Sequence, residues 1–400
     1  MLYLLPPAGF PISFADILKI IKARANSEKY SEMFKTKIAE HTGAKHCFLF
    51  NLGRTSLYHI LKALIELSDS SKTDVVIPSY TCFTVAAPIA RLGLKIRPVD
   101  IDPMTMDFDY EKLSRLDFEK VLAIVPSSLF GIISDWDKLL SIKQHNDIYL
   151  IDDAAQAMGS CYHDKPAGSF GDAGIFSLDR GKPLSTYLGG LMVTNDDEIA
   201  DRVKKAADDL KLPGIKDELM IVIKIILYAM MLNARLFWLP NKIPFLKLGQ
   251  TFFDEQFNMG LLSDLQSCAG AVMFSKLDSF NAIRVKNAKA ICDGLSKDDR
   301  YRIPGYSQTN CPVYLRLPIL ARNKQERDWA IAALGKRGIK ASAMYPSTIN
   351  QIEGIEKYLA GQEGSFEGAQ TVVDRLFTLP THPYVRSNDI EKIIDCLTIR

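Results

Sequence analysis

Three places in the chain carry residue types that could do chemistry together. Lys182 lies in Leu178-Asp-Arg-Gly-Lys-Pro-Leu, a stretch without helical or strand periodicity, just before Gly189-Gly190. A lysine held in a loop beside a sheet can be desolvated, which frees its amine as a nucleophile. It could equally be one solvated cation among the 49 Lys and Arg residues of the chain. Asp153 follows the apolar run Ile148-Tyr-Leu-Ile and precedes Ala154-Ala155. A carboxylate at the end of a buried strand suits a protonated ring nitrogen, which a pyridoxal phosphate ring requires. It also suits the N-cap of a following helix. Gly53-Arg54-Thr55-Ser56 stands between an apolar run and a helical pattern. Backbone N–H groups at a helix start, with hydroxyls nearby, make a phosphate site, although Ser and Thr are also ordinary caps. Ser177, upstream of Lys182, adds another hydroxyl.

The elements around these residues explain how they could meet. From about residue 46 to 195, short apolar runs alternate with helical patterns. Cys47–Phe50, Val75–Pro78, Val121–Pro126, Ile148–Ile151, Ala173–Leu178 and Gly190–Thr194 read as buried strands. Leu57, Ile60, Leu61, Leu64 and Ile65 form one helical face. Continuous apolar strands separated by helices indicate an α/β fold with a mostly parallel sheet covered on both faces. Ligands of such sheets bind at the carboxyl ends of the strands. Polar residues follow the runs there: Ser79, Tyr80 and Thr81, then Ser127 and Ser128, then Asp152 and Asp153.

Residues 213–256 break the rhythm. Leu219–Leu239 is mostly apolar, interrupted by Lys224, Asn233 and Arg235, with Lys224 and Arg235 nearly in line on a continuous helix. A narrow polar stripe on an apolar helix suits a peripheral membrane contact or burial against a protein partner, rather than a spanning segment. From 257 the pattern becomes α+β, with expected strands at Val313–Leu317, Gly338–Ser342 and Leu376–Pro380, and helices at Leu262–Leu277, Lys324–Lys336, Ile355–Leu359, Ala369–Arg375 and Asn388–Leu397. The division expected is an N-terminal arm (1–30), a large domain (31–212), an apolar insert (213–256) and a small C-terminal domain (257–400).

Composition narrows the class. With 47% apolar and 24% charged residues, the chain reads as a globular protein, and its net charge of +2 gives no sign of a nucleic-acid partner. Seven scattered cysteines without a CxxC pair read as reduced thiols of a cytoplasmic protein, and the N-terminus lacks the basic region of a secretory signal. The six histidines show no metal-ligand spacing, so no metal is expected.

Three blocks then become specific: Ile151-Asp-Asp-Ala-Ala-Gln-Ala-Met-Gly, Gly168-Ser-Phe-Gly-Asp-Ala-Gly-Ile-Phe-Ser-Leu-Asp-Arg-Gly-Lys182, and Gly189-Gly-Leu-Met-Val-Thr-Asn-Asp. With Asp74-Val-Val-Ile-Pro-Ser-Tyr-Thr, Pro98-Val-Asp-Ile-Asp and Leu379-Pro-Thr-His-Pro, the chain resembles the DegT/StrS family of PLP-dependent sugar aminotransferases. The resemblance implies a fold-type I transferase with a seven-stranded large-domain sheet, a smaller α+β domain, and a homodimer with active sites at the interface. It implies pyridoxal 5'-phosphate as cofactor, glutamate or a similar amino donor, and a keto sugar acceptor, nucleotide-linked, for a surface polysaccharide or glycosylated metabolite. By the same resemblance, Lys182 would form the internal aldimine and move the proton, and Asp153 would pair with the ring nitrogen. Gln156 would lie near the phenolic oxygen, and Ser177, Gly53 and Thr55 would hold the phosphate, with Arg54 where a threonine is common. Members with histidine at the lysine position act as dehydratases, which Lys182 argues against.

Three departures from that pattern stand out. Cys82 occupies the position of an aromatic that stacks on the cofactor, leaving Phe83 or Tyr80 to substitute. Met259 and Leu261 occupy the register of an Asn-x-Arg motif that reaches the partner's phosphate, with Asn258 one position off. The third is the apolar insert. They motivate a second reading, a membrane-associated binding or regulatory homologue that keeps the fold without transamination. His382, Tyr187, the segment Tyr345-Pro-Ser-Thr and the N-terminal Leu5–Ile12 are further candidates for the substrate pocket.

Overall fold

The computed structural model describes residues 3–241, 253–296, 298–305, 310–361 and 364–398. Its centre is a seven-stranded sheet. The strands are β1 (His46–Phe50), β2 (Asp74–Pro78), β3 (Lys95–Val99), β4 (Val121–Ile124), β5 (Tyr149–Asp153), β6 (Ala173–Ser177) and β7 (Gly190–Thr194). Their spatial order is β1-β7-β6-β5-β4-β2-β3. Only β7 runs against its neighbours, pairing antiparallel with both β1 and β6. All residues of β2, β4 and β7 are buried, as expected of strands covered on two faces.

This topology sets the site. Because β7 alone is reversed, the carboxyl ends of the six other strands and the start of β7 share one edge of the sheet. The loop 178–189 between β6 and β7, which contains Lys182, turns over that edge.

Helix α1 (Phe14–Ala23) opens the described chain, followed by α2 (Ser27–Thr42) and α3 (Gly53–Leu67). On α3, Leu57, Ile60, Leu61 and Leu64 are buried as the spacing predicts, whereas Ile65 is exposed. Helix α4 (Phe83–Arg91) follows β2, and α5 (Asp197–Ala207) follows β7. The apolar run at 219–239 is not one helix: α6 (Ile215–Met231) ends at Met231, and a short helical turn resumes at Trp238–Asn241. The chain then turns at Asn233, whose side chain accepts the Arg235 N–H at 3.0 Å. Arg235 therefore lies beyond the helix, and the continuous Lys224–Arg235 stripe is not formed. Residues 242–252 of the insert lie outside the described residues. Among the described residues, no helix is long and apolar enough to cross a membrane.

Beyond the insert, α7 (Asp264–Phe274) packs on α2 and α1, and α8 (Leu277–Leu295) leads to the C-terminal part. There a three-stranded antiparallel sheet joins Tyr301–Arg302, Leu317–Ala321 and Leu376–Leu379. The strand expected at Val313–Leu317 thus begins where it was expected to end. Residues 313–315 instead bond to the segments that follow β4 and β5, with the Val313 N–H donated to Ser160 Oγ and the Leu315 N–H to the Phe130 carbonyl. Gly338–Ser342 makes single bridges from Ile339 to Leu5 and from Ser342 to Thr378 rather than a strand. Residues 356–358 form a 3-10 turn, and Lys324–Lys336 is helical as expected.

Candidate active site

Asp153 ends β5 and is 7% exposed. Its Oδ1 accepts the Ala155 N–H at 3.1 Å, and its Oδ2 accepts the Ser127 hydroxyl at 3.2 Å. Thr81 in turn donates to Ser127 Oγ at 3.0 Å. Burial pushes the Asp153 carboxyl up, while the Ala155 N–H, the Lys182 ammonium and the Ser127 hydroxyl pull it down. A carboxylate held by donors and near a cation is suited to face another positive charge. Ser127 was visible in the sequence only as a polar residue after a strand. The structure makes it the link from Thr81 to Asp153.

Lys182 follows the turn Asp179–Gly181, its N–H donated to the Asp179 carbonyl at 3.2 Å. Gly181 takes φ +76°, a conformation that side chains rarely adopt. Its N–H is donated to the hydroxyl of Tyr228 on α6 at 3.3 Å. The same hydroxyl accepts the Phe10 N–H at 3.2 Å. On the other side of Lys182, the Pro183 carbonyl accepts from the buried Arg284 guanidinium at 3.4 Å. The lysine is therefore bracketed by groups from the insert helix and from α8. Tyr187 packs edge-on to Tyr228 and beneath Arg180 rather than standing free. Sequence reasoning missed Tyr228, whose single signal was the one hydroxyl in the apolar run 219–239.

The start of α3 is built to receive an anion. No side chain caps it, so the N–H groups of Gly53 and Arg54 remain as donors. Gly190 stands in register with both Phe50 and Ser177. A Cβ at Gly190 would lie 2.3 Å from the Gly53 nitrogen, so glycine is what lets the helix start approach the sheet. Gly53 itself sits against Ser177, with its missing Cβ 3.4 Å from the serine Cβ. Thr55 is buried and donates to Asn51 Oδ1 at 2.8 Å. Arg54 lies with its guanidinium 4.6 Å above the Phe257 ring, whose centroid is also 4.9 Å from the Arg91 guanidinium. Burial pulls the Arg54 pKa down, and Asp254, Cys82 and Asp179 act against it.

Gln156 is buried and bifunctional. Its Oε1 accepts the Phe130 N–H at 3.2 Å, and its Nε2 donates to the Tyr345 hydroxyl at 3.2 Å. Tyr345 also packs against Tyr80 and Phe83, with centroids 5.5 and 6.0 Å away. Tyr80 is fully buried and Phe83 is 6% exposed, whereas Cys82 between them is only partly buried. His382 is remote in role: it is buried, its Nε2 bonds the Pro6 carbonyl at 2.8 Å, and burial drops its pKa to about 4. It pins the N-terminal arm.

These residues fit pyridoxal phosphate: a donor-rich helix start for the phosphate, a buried carboxylate for the ring nitrogen, and a bracketed lysine at the same sheet edge.

Comparison with known proteins agrees. The model of the DegT/DnrJ/EryC1/StrS aminotransferase family matches residues 15–398. GDP-perosamine synthase of Caulobacter vibrioides is 34% identical over 171 residues, 43% of this chain and 45% of that protein, so the match spans under half of that relative. UDP-2-acetamido-2-deoxy-3-oxo-D-glucuronate aminotransferase of Pseudomonas aeruginosa is 26% identical over 90% of this chain and 88% of that protein. The structure of Helicobacter pylori PseC, an aminotransferase of pseudoaminic acid biosynthesis, superposes with a TM-score of 0.79 over 98% of both chains at 19% identity, a likeness of fold. With the family model covering nearly the whole chain, the protein belongs to the DegT/DnrJ/EryC1/StrS family of PLP-dependent aminotransferases.

Proposed function

We propose that the protein transfers an amino group from glutamate, or a similar amino acid, to a keto sugar carried on a nucleotide. The observation that supports this most directly is the bracketed Lys182 beside the Ser127-bound Asp153. The sugar class follows the relatives, whose names include a GDP-sugar synthase and a UDP-sugar aminotransferase. Pyridoxal phosphate supplies the electron sink at the carbon that loses or gains the amino group. The chain supplies the rest. Gly53, Arg54, Thr55 and Ser177 would hold the phosphate, Asp153 would keep the ring nitrogen protonated, and Gln156 would help orient the ring. Phe83 contributes to the pocket wall with Tyr345. The Lys182 amine would hold the cofactor and would be the group placed to move a proton at the reacting carbon.

In this reading the protein works in the cytoplasm as a homodimer. The exposed apolar face of α6 makes a peripheral contact with a membrane surface. A homologue without transamination is not favoured, because Lys182, Asp153 and Ser177 are all retained.

The test is the visible spectrum of the PLP-loaded protein before and after L-glutamate. Conversion of the bound cofactor to its pyridoxamine form is expected. In Lys182→Ala, turnover is expected to fall by about 10³-fold or more, the scale of a lost proton-transfer group, with folding intact. Normal turnover in that variant, or a wild-type spectrum that ignores every amino donor, refutes the assignment.

A further inference from the structure

Two arginines near the site, Arg284 fully buried and Arg316 half-buried, have no carboxylate partner among the described residues, and the difference between them is informative. Arg284 is fully buried, yet oxygens surround it: Asn281 Oδ1 and the carbonyls of Pro183 and Gly9. It is a structural cation with its donors in use, although burial still lowers its pKa to about 10.

Arg316 has no such set. It stands just before the strand Leu317–Ala321 and is only partly exposed. Among the described residues its one hydrogen bond is from Nη1 to the sulfur of Met344 at 3.5 Å, a weak acceptor. Burial pulls its pKa down, and the counteracting influence is the Tyr345 hydroxyl rather than any carboxylate. Cations in such surroundings are normally paired, because desolvation costs several kcal/mol per ion.

The neighbours of Arg316 locate it. Met344, which it touches, precedes Tyr345 in the chain. The Tyr345 hydroxyl accepts from Gln156, its ring packs on Tyr80 and Phe83, and the charge of Asp153 acts on it. The unpaired guanidinium therefore lies on the C-terminal side of the wall that encloses the candidate site. A guanidinium is a planar fork of donors that matches a carboxylate.

We propose that Arg316 is the seat of a substrate carboxylate, either of a dicarboxylic amino donor or of an acidic sugar acceptor. The proposal rests on the aminotransferase reading for what the substrates are, but not for the binding event itself.

The experiment uses the PLP-loaded protein and two matched pairs of unreactive probes. Glutarate is compared with glutaramide, and UDP-glucuronate with UDP-glucose, by perturbation of the visible band and by thermal shift. Wild type is expected to bind one acid about 10- to 100-fold more tightly than its uncharged counterpart, the range of a charge-assisted hydrogen-bonded pair. A glutarate preference assigns Arg316 to the donor, and a UDP-glucuronate preference assigns it to the acceptor. In Arg316→Gln the preference is expected to vanish, while PLP affinity is unchanged and the Tm without probe holds or rises. A structural arginine would lower that Tm. No acid preference in wild type, or an equal preference in Arg316→Gln, overturns the proposal. Failure of Arg316→Gln to fold overturns it too, since a cation without internal partners is not needed for folding. Glutarate bound through Arg316 in a protein that leaves L-glutamate unconverted would sustain the site while refuting the reaction.

Discussion

Two adjacent carboxyls at the end of β5 have separate tasks. Asp153 is supplied with donors and a nearby cation, whereas Asp152 is wholly buried, with Oδ2 accepting the Gly168 N–H at 2.6 Å and Oδ1 finding no hydrogen-bond partner among the described residues. Burial raises the Asp152 pKa to about 7. Between the ordinary carboxylate value and that point, the folded state binds a proton that the unfolded chain has released. Stability is therefore lost as pH rises through about 4 to 7 and levels off above it. His382, with its pKa lowered to about 4, acts in the opposite sense, losing stability as pH falls below about 6.5. The observable is thus the difference between proteins. Asp152→Asn mimics the protonated acid, so its Tm relative to wild type is expected to rise from pH 4 to 7. Parallel Tm profiles for the two proteins would contradict a buried, proton-holding Asp152.

At the scale of elements, α6 works on its two sides differently. Its inner side carries Glu218, paired with Arg24 at 2.8 Å, together with Ile225 and the Tyr228 hydroxyl that holds Gly181 and Phe10. The insert is therefore part of the frame of the Lys182 loop. Tyr228→Phe keeps the ring and removes the acceptor of two N–H groups, each hydrogen bond worth about 1 kcal/mol net. If the Gly181 bond goes wholly into positioning Lys182, its removal corresponds to about a fivefold drop in kcat. The KM for the amino donor is expected to change little, and the Tm to fall by only a few degrees. Hydrogen exchange should show the Gly181 and Phe10 amides losing protection together. An unchanged kcat would separate the insert from the reaction.

At the scale of the whole molecule, the outer side of α6 is the anomaly. Leu219, Met220, Ile223, Leu227 and Met230 are all exposed, Leu219 by 62%. On α1, Phe14, Leu18 and Ile21 are exposed at helical spacing as well. The Arg24–Glu218 pair and the Phe10–Tyr228 bond join α6 to the residues that flank α1. Exposed apolar side chains at helical spacing suit a binding surface. Flotation with anionic vesicles is expected to carry wild type upward and to leave a Leu219→Ser, Ile223→Ser, Leu227→Ser variant behind. A wild type that stays with the soluble fraction would assign the face to protein–protein burial instead.

Much of this was legible in the sequence because it depends on local pattern. The strand runs, the α3 face and the residues after each strand follow from side-chain periodicity and from where parallel strands end. Lys182, Asp153, Gly53 and Ser177 could be named as candidates because each lies at or a few residues past the carboxyl end of a strand. The extent of α6 was not, since an apolar run continues past the turn at Asn233 that stops the helix. Nor was the start of the strand at Leu317, because residues 313–315 look like strand but bond to Ser160 and Phe130 instead. The close approach at Gly190, the Thr81–Ser127–Asp153 chain, the Tyr228 bracket and the unpaired Arg316 join residues far apart in sequence. By itself the sequence determined the family pattern and the candidates for binding and reaction. Only the tertiary structure decided which of them share a hydrogen bond and which charge is left without one, because those depend on distances that no local pattern encodes.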